Sequence, residues 1–405
     1  MKTGNYLILN INDLEAYIRK DRLSMLKQVD GIVFDCDGVL VDIRDSYNKA
    51  IKKTVAYILE AILCTKIPEN FVSDEIIFLF RRTGGFNNDW DTVYGILMFI
   101  LSSLPSNIRK ILMQQIQKID LKQEPSKRLS YVKKATEKEL SNNALDNTFF
   151  EEALFNLKVF TESLNDSGTV SVDENLLRKE GSQKDFTIFY SALKEFLHPQ
   201  AKVGISAIST IFEEFFQGAE LYNRTFGIQP CFNLGTGMIE NEKLIIKPEA
   251  LEKLSFLLGK NRLGIASGSR IEPAKYVLGN LVTKFNPEAT IFLETTEEAE
   301  YKLSQDKGVS INLKKPEPFS LLKAVEGFKE YNCILYVGDS IEDALMARKA
   351  LEAGKNLVFA GVYQYSSLAN LARDGFLEFG CDMVIPSVND LPYIIESIRR
   401  EKFCE

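Results

Sequence analysis

Apolar residues are arranged in two different ways along this chain. At residues 31–34, and repeatedly after residue 251, they form short uninterrupted runs that alternate with helical stretches. Consecutive apolar residues are typical of strands buried on both faces of a parallel sheet, and strands that alternate with helices predict βα units. The predicted strands cover residues 31–34, 263–266, 290–293, 334–337, 357–360 and 383–385.

The middle of the chain, from about residue 41 to residue 250, has a helical pattern. Apolar residues recur there three or four positions apart, which predicts amphipathic helices. A strongly charged segment, 122–143, and a polar segment, 165–185, lie between them, and we predict that the second is a mobile surface loop. The predicted helices cover residues 47–63, 74–80, 90–104, 108–119, 149–164 and 186–197.

These patterns together predict an α/β fold with a Rossmann-like parallel sheet, into which an all-helical domain is inserted. Residues 29–41 and 259–405 would form the α/β core, and residues 42–258 the helical domain. Residues 1–28 are predicted to be a short helical extension, because Leu14, Tyr17 and Ile18 would share one helix face.

Composition and charge exclude several kinds of protein. The chain has 405 residues, 45% of them hydrophobic, and a net charge of −7. The hydrophobic fraction is sufficient for packed cores, whereas the acidic balance argues against nucleic acid as a partner. The longest apolar stretch, residues 95–101, is far shorter than the ~20 residues of a membrane span. The N-terminal residues show no signal peptide, so we expect no membrane partner.

The cysteines and the single histidine further limit the kinds of catalytic and metal site that the chain could contain. The six cysteines are scattered without a CxxC pair, which is typical of reduced thiols and predicts a cytoplasmic protein. His198 is the only histidine, so catalytic triads and metal sites with several histidines are improbable. Catalysis would have to depend mostly on carboxylates, lysine and a metal ion.

Four short motifs carry the candidate chemistry, and each follows or ends a predicted strand or precedes a helix. Ligands of open α/β sheets bind beyond the carboxyl ends of the strands, so we expect all four motifs to converge there. In the first motif, Asp35 and Asp37 should face one side and Cys36 the other, where it would pack as a buried thiol. The motifs are Asp35-Cys36-Asp37-Gly38, Ser267-Gly268-Ser269, Lys315-Pro316 and Gly338-Asp339-Ser340 with Asp343.

The charges of these motifs imply a metal ion. Asp35, Asp37, Asp339 and Asp343 would bring four negative charges together, and Lys315 returns only one positive charge. Like charges ~4 Å apart repel by about 4 kcal/mol per pair at an effective dielectric constant of 20, so the carboxylates would protonate or separate without a cation. A hard divalent ion with oxygen ligands fits this site, and Mg²⁺ is the expected cofactor.

The ordered set of motifs resembles the four motifs of the haloacid dehalogenase (HAD) superfamily of phosphohydrolases. The helical insertion lies where that family carries its helical cap, although residues 42–258 are a larger cap than is usual. The resemblance implies that Asp35 is the nucleophile that forms an aspartyl-phosphate and that Asp37 is the general acid and base. It also implies that Ser267 and the Gly268 amide hold the phosphoryl group.

The resemblance assigns the remaining motif residues as well. Lys315 would pair with the nucleophile and the phosphate, Asp339 would bind Mg²⁺ with Asp343 in support, and the backbone carbonyl of Asp37 would be a further metal ligand. Relatives that cleave carbon–halogen or carbon–phosphorus bonds lack an aspartate at the position of Asp37. The implied activity is therefore hydrolysis of a small phosphorylated metabolite by a monomer or homodimer, with closure of the cap excluding water.

Two other functions remain open from the sequence. A phosphomutase would use the same residues but return the phosphoryl group to its substrate. A phospho-accepting regulatory module also places an aspartate near a lysine and a hydroxyl group on a parallel sheet, although Asp37 and the Asp339–Asp343 pair argue against it.

Some residues permit two interpretations. The segment from Arg81 to Trp90 reads either as a helix end followed by an Asn or Asp N-cap, or as a specificity loop of the cap. In the second interpretation Arg81 or Arg82, with Asn87 and Asn88, would bind substrate. Lys314 competes with Lys315 for the catalytic role, and we favour Lys315 because it directly precedes the proline.

Overall fold

The computed structural model describes residues 3–11, 13–86, 88–141, 145–180, 184–309 and 311–400. The chain forms two compact units. The first, here called the core unit, comprises Met1–Arg44 and Glu242–Glu405, and the second, here called the helical unit, comprises Asp45–Asn241.

The core unit is built on one large sheet. Its strands are β1 (Tyr6–Ile11), β2 (Leu14–Arg19), β3 (Val29–Phe34), β6 (Leu263–Ala266), β7 (Thr290–Ile291), β8 (Cys333–Gly338), β9 (Leu357–Val362) and β10 (Met383–Ile385). They are arranged in the order β1-β2-β10-β9-β8-β3-β6-β7, and the strands from β10 to β7 pair in parallel. Two further short strands, β4 (Val41–Asp42) and β5 (Lys243–Leu244), form an antiparallel ribbon. This sheet confirms the predicted α/β class.

Apolar residues cover both faces of this sheet. Along β3, Ile32 and Phe34 belong to one buried apolar cluster and Val33 to another, because successive side chains of a strand point to opposite faces. The other strands and most helices of the core unit supply further residues of the two clusters. The helices of this unit are α1 (Leu23–Lys27), α11 (Pro248–Leu258), α12 (Ile271–Leu278), α13 (Leu293–Lys307), α14 (Phe319–Glu326), α15 (Ile341–Glu352), α16 (Ala369–Phe379) and α17 (Leu391–Arg399).

The N-terminal segment differs from its prediction. Instead of a helical extension it contains the hairpin of β1 and β2, which extends the sheet through antiparallel pairing of β2 with β10. Tyr17 and Ile18 are both buried although they are adjacent, because β2 lies between two strands and is covered on both faces. Their spacing imitated a helix face, so the helical prediction is wrong for residues 6–11 and 14–19, whereas Leu23–Lys27 does form helix α1.

The C-terminal end of the inserted domain also differs from its prediction. We placed residues 242–258 in the helical domain, whereas they belong to the core unit. Leu251 and Leu254 of α11 lie in the same apolar cluster as Ile394 and Ile398 of α17. Helical periodicity identifies an apolar face but does not identify what that face packs against, so the boundary at residue 258 was wrong.

In the part of the helical unit that the structure describes, the longer elements are all α-helices. Its helices are α2 (Tyr47–Leu63), α3 (Asp74–Arg81), α4 (Asp89–Ser102), α5 (Ser106–Ile116), α6 (Pro125–Ser141), α7 (Asn147–Phe160), α8 (Thr169–Glu180), α9 (Lys184–Leu197) and α10 (Ala207–Phe226). The bounds of α2 agree with the prediction. The predicted surface loop at 165–185 is wrong, because it contains α8, whose buried apolar face is narrow and consists of Val172 and Leu176.

Among the described residues, no individual helix is both long enough and apolar enough to cross a bilayer. Helices α4 and α5 meet that criterion only when they are joined, as a pair bent by 119°.

The only histidine lies inside the helical unit. His198 Nδ1 is 2.7 Å from Ser206 Oγ, and its ring packs 5.6 Å from that of Tyr94. His198 Nε2 is buried and has no hydrogen-bond partner among the described residues. Burial, with a smaller contribution from the Lys194 charge, lowers the pKa of His198 to about 4.

We expect the stability of the helical unit to fall in mild acid. The unfolded chain protonates His198 near its ordinary pKa of 6.5, whereas the folded chain does so near 4. The contribution of neutral His198 to the free energy of unfolding is therefore complete above about pH 6.5. It is lost as the pH falls toward 4, which lowers the free energy of unfolding by up to about 3 kcal/mol. Urea unfolding followed by the fluorescence of Trp90, the only tryptophan, measures it. A His198→Asn variant should lose this part of the pH dependence, and an unchanged profile would contradict the assignment.

Candidate active site

The first motif begins where β3 ends. The Asp35 amide donates a hydrogen bond to the Val337 carbonyl at 2.8 Å, which fixes the end of β3 against β8. Asp35 is 4% exposed, and its Oδ1 also accepts a hydrogen bond from the Cys36 amide at 2.8 Å. The Cys36 side chain lies in the apolar cluster of Ile32 and Phe34. Burial, followed by the nearby carboxylates of Asp37 and Asp35, raises the pKa of its thiol. The thiol is therefore protonated and packs as predicted.

Lys315 joins the first motif to the fourth. Its Nζ lies 3.0 Å from Asp35 Oδ1 and 2.7 Å from Asp343 Oδ1. The three side chains are at most 6% exposed, so these ion pairs are shielded from water. Lys314 is 40% exposed and pairs with Glu297 at 3.6 Å. The structure thus brings Lys315, and not Lys314, to the carboxylates.

Asp343 is held by donors from several directions. Its Oδ1 accepts hydrogen bonds from Lys315 and from the Tyr336 hydroxyl, the latter at 2.6 Å. Its Oδ2 accepts from the Ser340 hydroxyl at 2.7 Å and from the amides of Asp339 and Ser340, within a capping box that begins α15. Asp343 therefore fixes both the lysine and the backbone of its own motif. Tyr336 was not predicted from the sequence, because a tyrosine on a buried strand carries no signal for this contact.

The two carboxylates beside Lys315 differ in pKa. Burial raises the pKa of Asp35 to about 7, and the charges of Asp343 and Asp37 add to this effect while Lys315 opposes it. Burial also disfavours the charged form of Asp343, but Lys315, Tyr336 and Ser340 outweigh it and lower its pKa. At Asp35, burial therefore outweighs the opposing effect of the Lys315 charge.

Asp339 lies beside the first motif because Gly38 has no side chain there. Gly38 has φ 71°, and a Cβ at this position would lie 1.9 Å from Asp339 Oδ2. Such a distance is far inside van der Waals contact, so only glycine permits this approach. The loop after β3 and the end of β8 thus place Asp339 beside the first motif.

The resulting carboxylate cluster fits a metal ion. Asp35, Asp339 and Asp343 each offer an oxygen, and these oxygens lie within 4.8 Å of one another. Oxygen ligands suit Mg²⁺ and other hard divalent cations. A cation would also oppose the burial and the neighbouring carboxylate charges that raise the pKa of Asp35. The donor set therefore agrees with the predicted kind of cofactor.

The second motif contacts the other aspartate of the first. The hydroxyl of Ser269 donates a hydrogen bond to Asp37 Oδ2 at 2.5 Å. Ser267 is buried directly after β6, and its Oγ is 3.0 Å from Ser269 Oγ, whereas Gly268 between them is exposed. The sequence pattern identified Ser267 and Gly268 but no role for Ser269. The spacing of two positions places both serines after the same strand, but it does not indicate which residue Ser269 contacts.

The candidate substrate-binding residues of the helical unit lie between α3 and α4. Arg81 donates hydrogen bonds to Asp89 Oδ1 at 2.7 Å and to Asn48 Oδ1 at 3.0 Å. Asn88 caps α4 by accepting a hydrogen bond from the Trp90 amide. Arg82 is exposed, and Asn87 lies outside the described residues. The N-cap interpretation is therefore correct for Asn88, and the substrate-binding roles of these residues remain predictions.

Comparison with known proteins identifies the class of this protein. The family model for haloacid dehalogenase-like hydrolases matches residues 29–350, and the chain belongs to this family. No curated protein matches the chain.

Two solved structures are similar. A Northeast Structural Genomics Consortium target, known from an X-ray structure, is 19% identical, with a TM-score of 0.60, and covers 92% of this chain and all of its own. Phosphatase Tt82 from Thermococcus thioreducens is 21% identical, with a TM-score of 0.44, and covers 86% of this chain and 99% of its own. The first of these shows that the fold is shared along most of the chain.

Proposed function

We propose that this hydrolase is a Mg²⁺-dependent phosphatase that cleaves a small phosphorylated metabolite through an aspartyl-phosphate at Asp35. The observation that carries the proposal is the arrangement around this residue. A buried carboxylate lies 3.0 Å from a lysine and beside two further carboxylates that suit a divalent cation. We further propose a cytoplasmic location, on the grounds of cysteine usage.

Asp35 is the nucleophile in this proposal. Its oxygen attacks the phosphorus, and the bond from phosphorus to the leaving oxygen breaks. The hydrogen bonds from the Cys36 amide and from Lys315 hold its carboxylate in one orientation. Lys315 also provides a positive charge where the transferred phosphoryl group carries negative charge. Asp343 keeps this lysine in place by accepting a hydrogen bond from its Nζ at 2.7 Å.

Asp37 moves the proton in both halves of the reaction. It first gives a proton to the leaving oxygen, so that the leaving group departs as an alcohol. It then takes a proton from a water molecule whose oxygen attacks the phosphorus, and the bond from Asp35 to phosphorus breaks. Inorganic phosphate is released, and both carboxyl groups return to their starting states.

The remaining roles concern phosphate and metal. We assign the Ser267 hydroxyl and the Gly268 amide to the phosphoryl oxygens, because both directly follow β6. Asp35, Asp339 and the Asp37 carbonyl would hold Mg²⁺, and Asp343 would support them. When bound, Mg²⁺ would neutralise negative charge on the phosphate.

A panel of phosphate monoesters tests the proposal. The purified protein is incubated with sugar phosphates, amino-acid-pathway phosphates and nucleotides, with Mg²⁺ or with EDTA, and released phosphate is measured. We expect release from at least one small metabolite with Mg²⁺ and at least a 10-fold lower rate with EDTA. Isomerised product without free phosphate would indicate a phosphomutase instead. Lasting phosphorylation of Asp35 without turnover would indicate a regulatory module.

A further inference from the structure

We propose that Ser269 is a positioning residue that holds the Asp37 carboxylate in the orientation needed for proton transfer. This inference rests on the proposed function, because it concerns the acid and base of that reaction. It assigns a role to a residue that touches neither the phosphoryl group nor the metal in the scheme above. The role proposed here is exerted through Asp37, although the Ser269 hydroxyl also contacts the Ser267 hydroxyl at 3.0 Å.

The direction of the hydrogen bonds around Ser269 follows from elementary chemistry. An ionised carboxylate only accepts, so the 2.5 Å contact requires that the Ser269 hydroxyl hydrogen point to Asp37 Oδ2. The 3.0 Å contact between the two serine hydroxyls is then a donation from Ser267 to Ser269, until a phosphoryl oxygen takes up the Ser267 hydrogen during the reaction. The Ser269 amide in turn donates to Ser267 Oγ at 3.1 Å. A continuous chain of hydrogen bonds therefore runs from Ser267 through Ser269 to Asp37.

Burial makes this chain a fixed part of the core unit. Ser267 is 2% exposed and Ser269 is 8% exposed, and both follow β6 near its hydrogen-bonded pairing with β7. The terminal torsion of an aspartate is broad, so a carboxylate without fixed donors samples many orientations. A donor that is itself anchored in the sheet restricts this torsion. Ser269 thus links the orientation of Asp37 to the rigid end of β6.

The hydrogen bond is compatible with both protonation states that catalysis requires. Ser269 occupies Asp37 Oδ2, so the transferred proton would be carried by Oδ1. Oδ2 retains a lone pair for the serine when Oδ1 is protonated, and the contact persists when the proton has left. The same side-chain orientation therefore serves both proton transfers.

Loss of this orientation should affect substrates unequally. An alcohol that leaves poorly as an anion needs the proton from Asp37, whereas p-nitrophenolate leaves readily without one. Phenol has a pKa of about 10, like the tyrosine side chain, so phenolate is a poor leaving group that needs the proton. A change that merely loosened the fold would slow both substrates alike. The ratio of the two rates therefore separates positioning of Asp37 from general structural damage.

The test compares phenyl phosphate with p-nitrophenyl phosphate. We measure kcat/KM with Mg²⁺, each variant at its own optimal pH, because kcat/KM includes the step in which the leaving group departs. Ser269→Ala should lose about 10- to 100-fold on phenyl phosphate, part of the 10²- to 10⁴-fold typical of general acid catalysis, and less than about 3-fold on p-nitrophenyl phosphate. Ser269→Thr, which keeps a hydroxyl, should recover most of the loss.

Two further variants complete the design. Ser320→Ala removes another buried serine hydroxyl of the core unit, one that contacts Met346 Sδ, and should leave both rates unchanged. Adding Ser269→Ala to Asp37→Asn should cost little beyond Asp37→Asn alone, because both act on one proton transfer. Equal losses on the two substrates, or full additivity with Asp37→Asn, would overturn the inference. A wild-type protein inactive on both substrates would overturn the proposed function itself, and the inference with it.

Discussion

Replacing Asp35 with asparagine should lower kcat/KM for any substrate phosphate by about 10⁴-fold or more, as expected for loss of a nucleophile. A carboxamide cannot form the acyl phosphate, although its oxygen can still accept the hydrogen bonds of Lys315 and the Cys36 amide. The substitution keeps the shape of the side chain and removes a buried negative charge. The loss should therefore come from chemistry rather than from unfolding.

Two measurements check this result. Released phosphate gives the rate, and phosphoenzyme that is trapped in acid and cleaved by hydroxylamine reports the acyl phosphate, which the variant should lack. Asp30→Asn is the matched control, because Asp30 lies near the start of the same strand and bonds to the Asn332 amide. It should retain normal activity. Activity of a folded Asp35→Asn protein within about 10-fold of wild type would refute the nucleophile assignment.

Replacing Lys315 with methionine should cost the core unit about 3–5 kcal/mol of unfolding free energy, besides most of the activity. The ammonium lies between Asp35 and Asp343, and all three side chains are nearly inaccessible to water. Its removal leaves two buried carboxylates facing each other without compensation. Urea unfolding, followed by circular dichroism in the presence of EDTA, measures this loss without a contribution from bound metal.

Lys314→Met provides the comparison for Lys315→Met. Lys314 is adjacent in sequence, but it is 40% exposed and its carboxylate partner is 3.6 Å away. An exposed ion pair contributes about 0–1 kcal/mol, so this variant should remain close to wild type in stability and activity. Equal losses in the two lysine variants would show that the buried ion pairs are not what stabilises this part of the core unit.

The sequence predicted which motif residues lie close together because their signals are local. Asp35, Ser267 and Asp339 each stand at or just after the end of a strand with a continuous apolar run. The carboxyl ends of parallel strands meet at one edge of a sheet, so the positions of these residues along the chain are enough to predict that they converge. The metal cluster of Asp35, Asp339 and Asp343 agrees with that expectation.

Residues that act through others could not be found in this way. Ser269 and Tyr336 are recognised only by what they contact, namely Asp37 and Asp343. Each contact joins residues whose relation depends on strand order and on side-chain direction. A serine or tyrosine at such a position reads equally well as packing.

The sequence by itself determined the α/β class, the order of the motifs and helix α2, because strand burial, turn residues and helical periodicity are properties of neighbouring positions. Only the tertiary structure decided that β1 and β2 extend the sheet, that α11 belongs to the core unit and that α8 is a helix. The free energy of those elements comes from what their apolar faces meet across space. A linear pattern records the existence of such a face but not its partner.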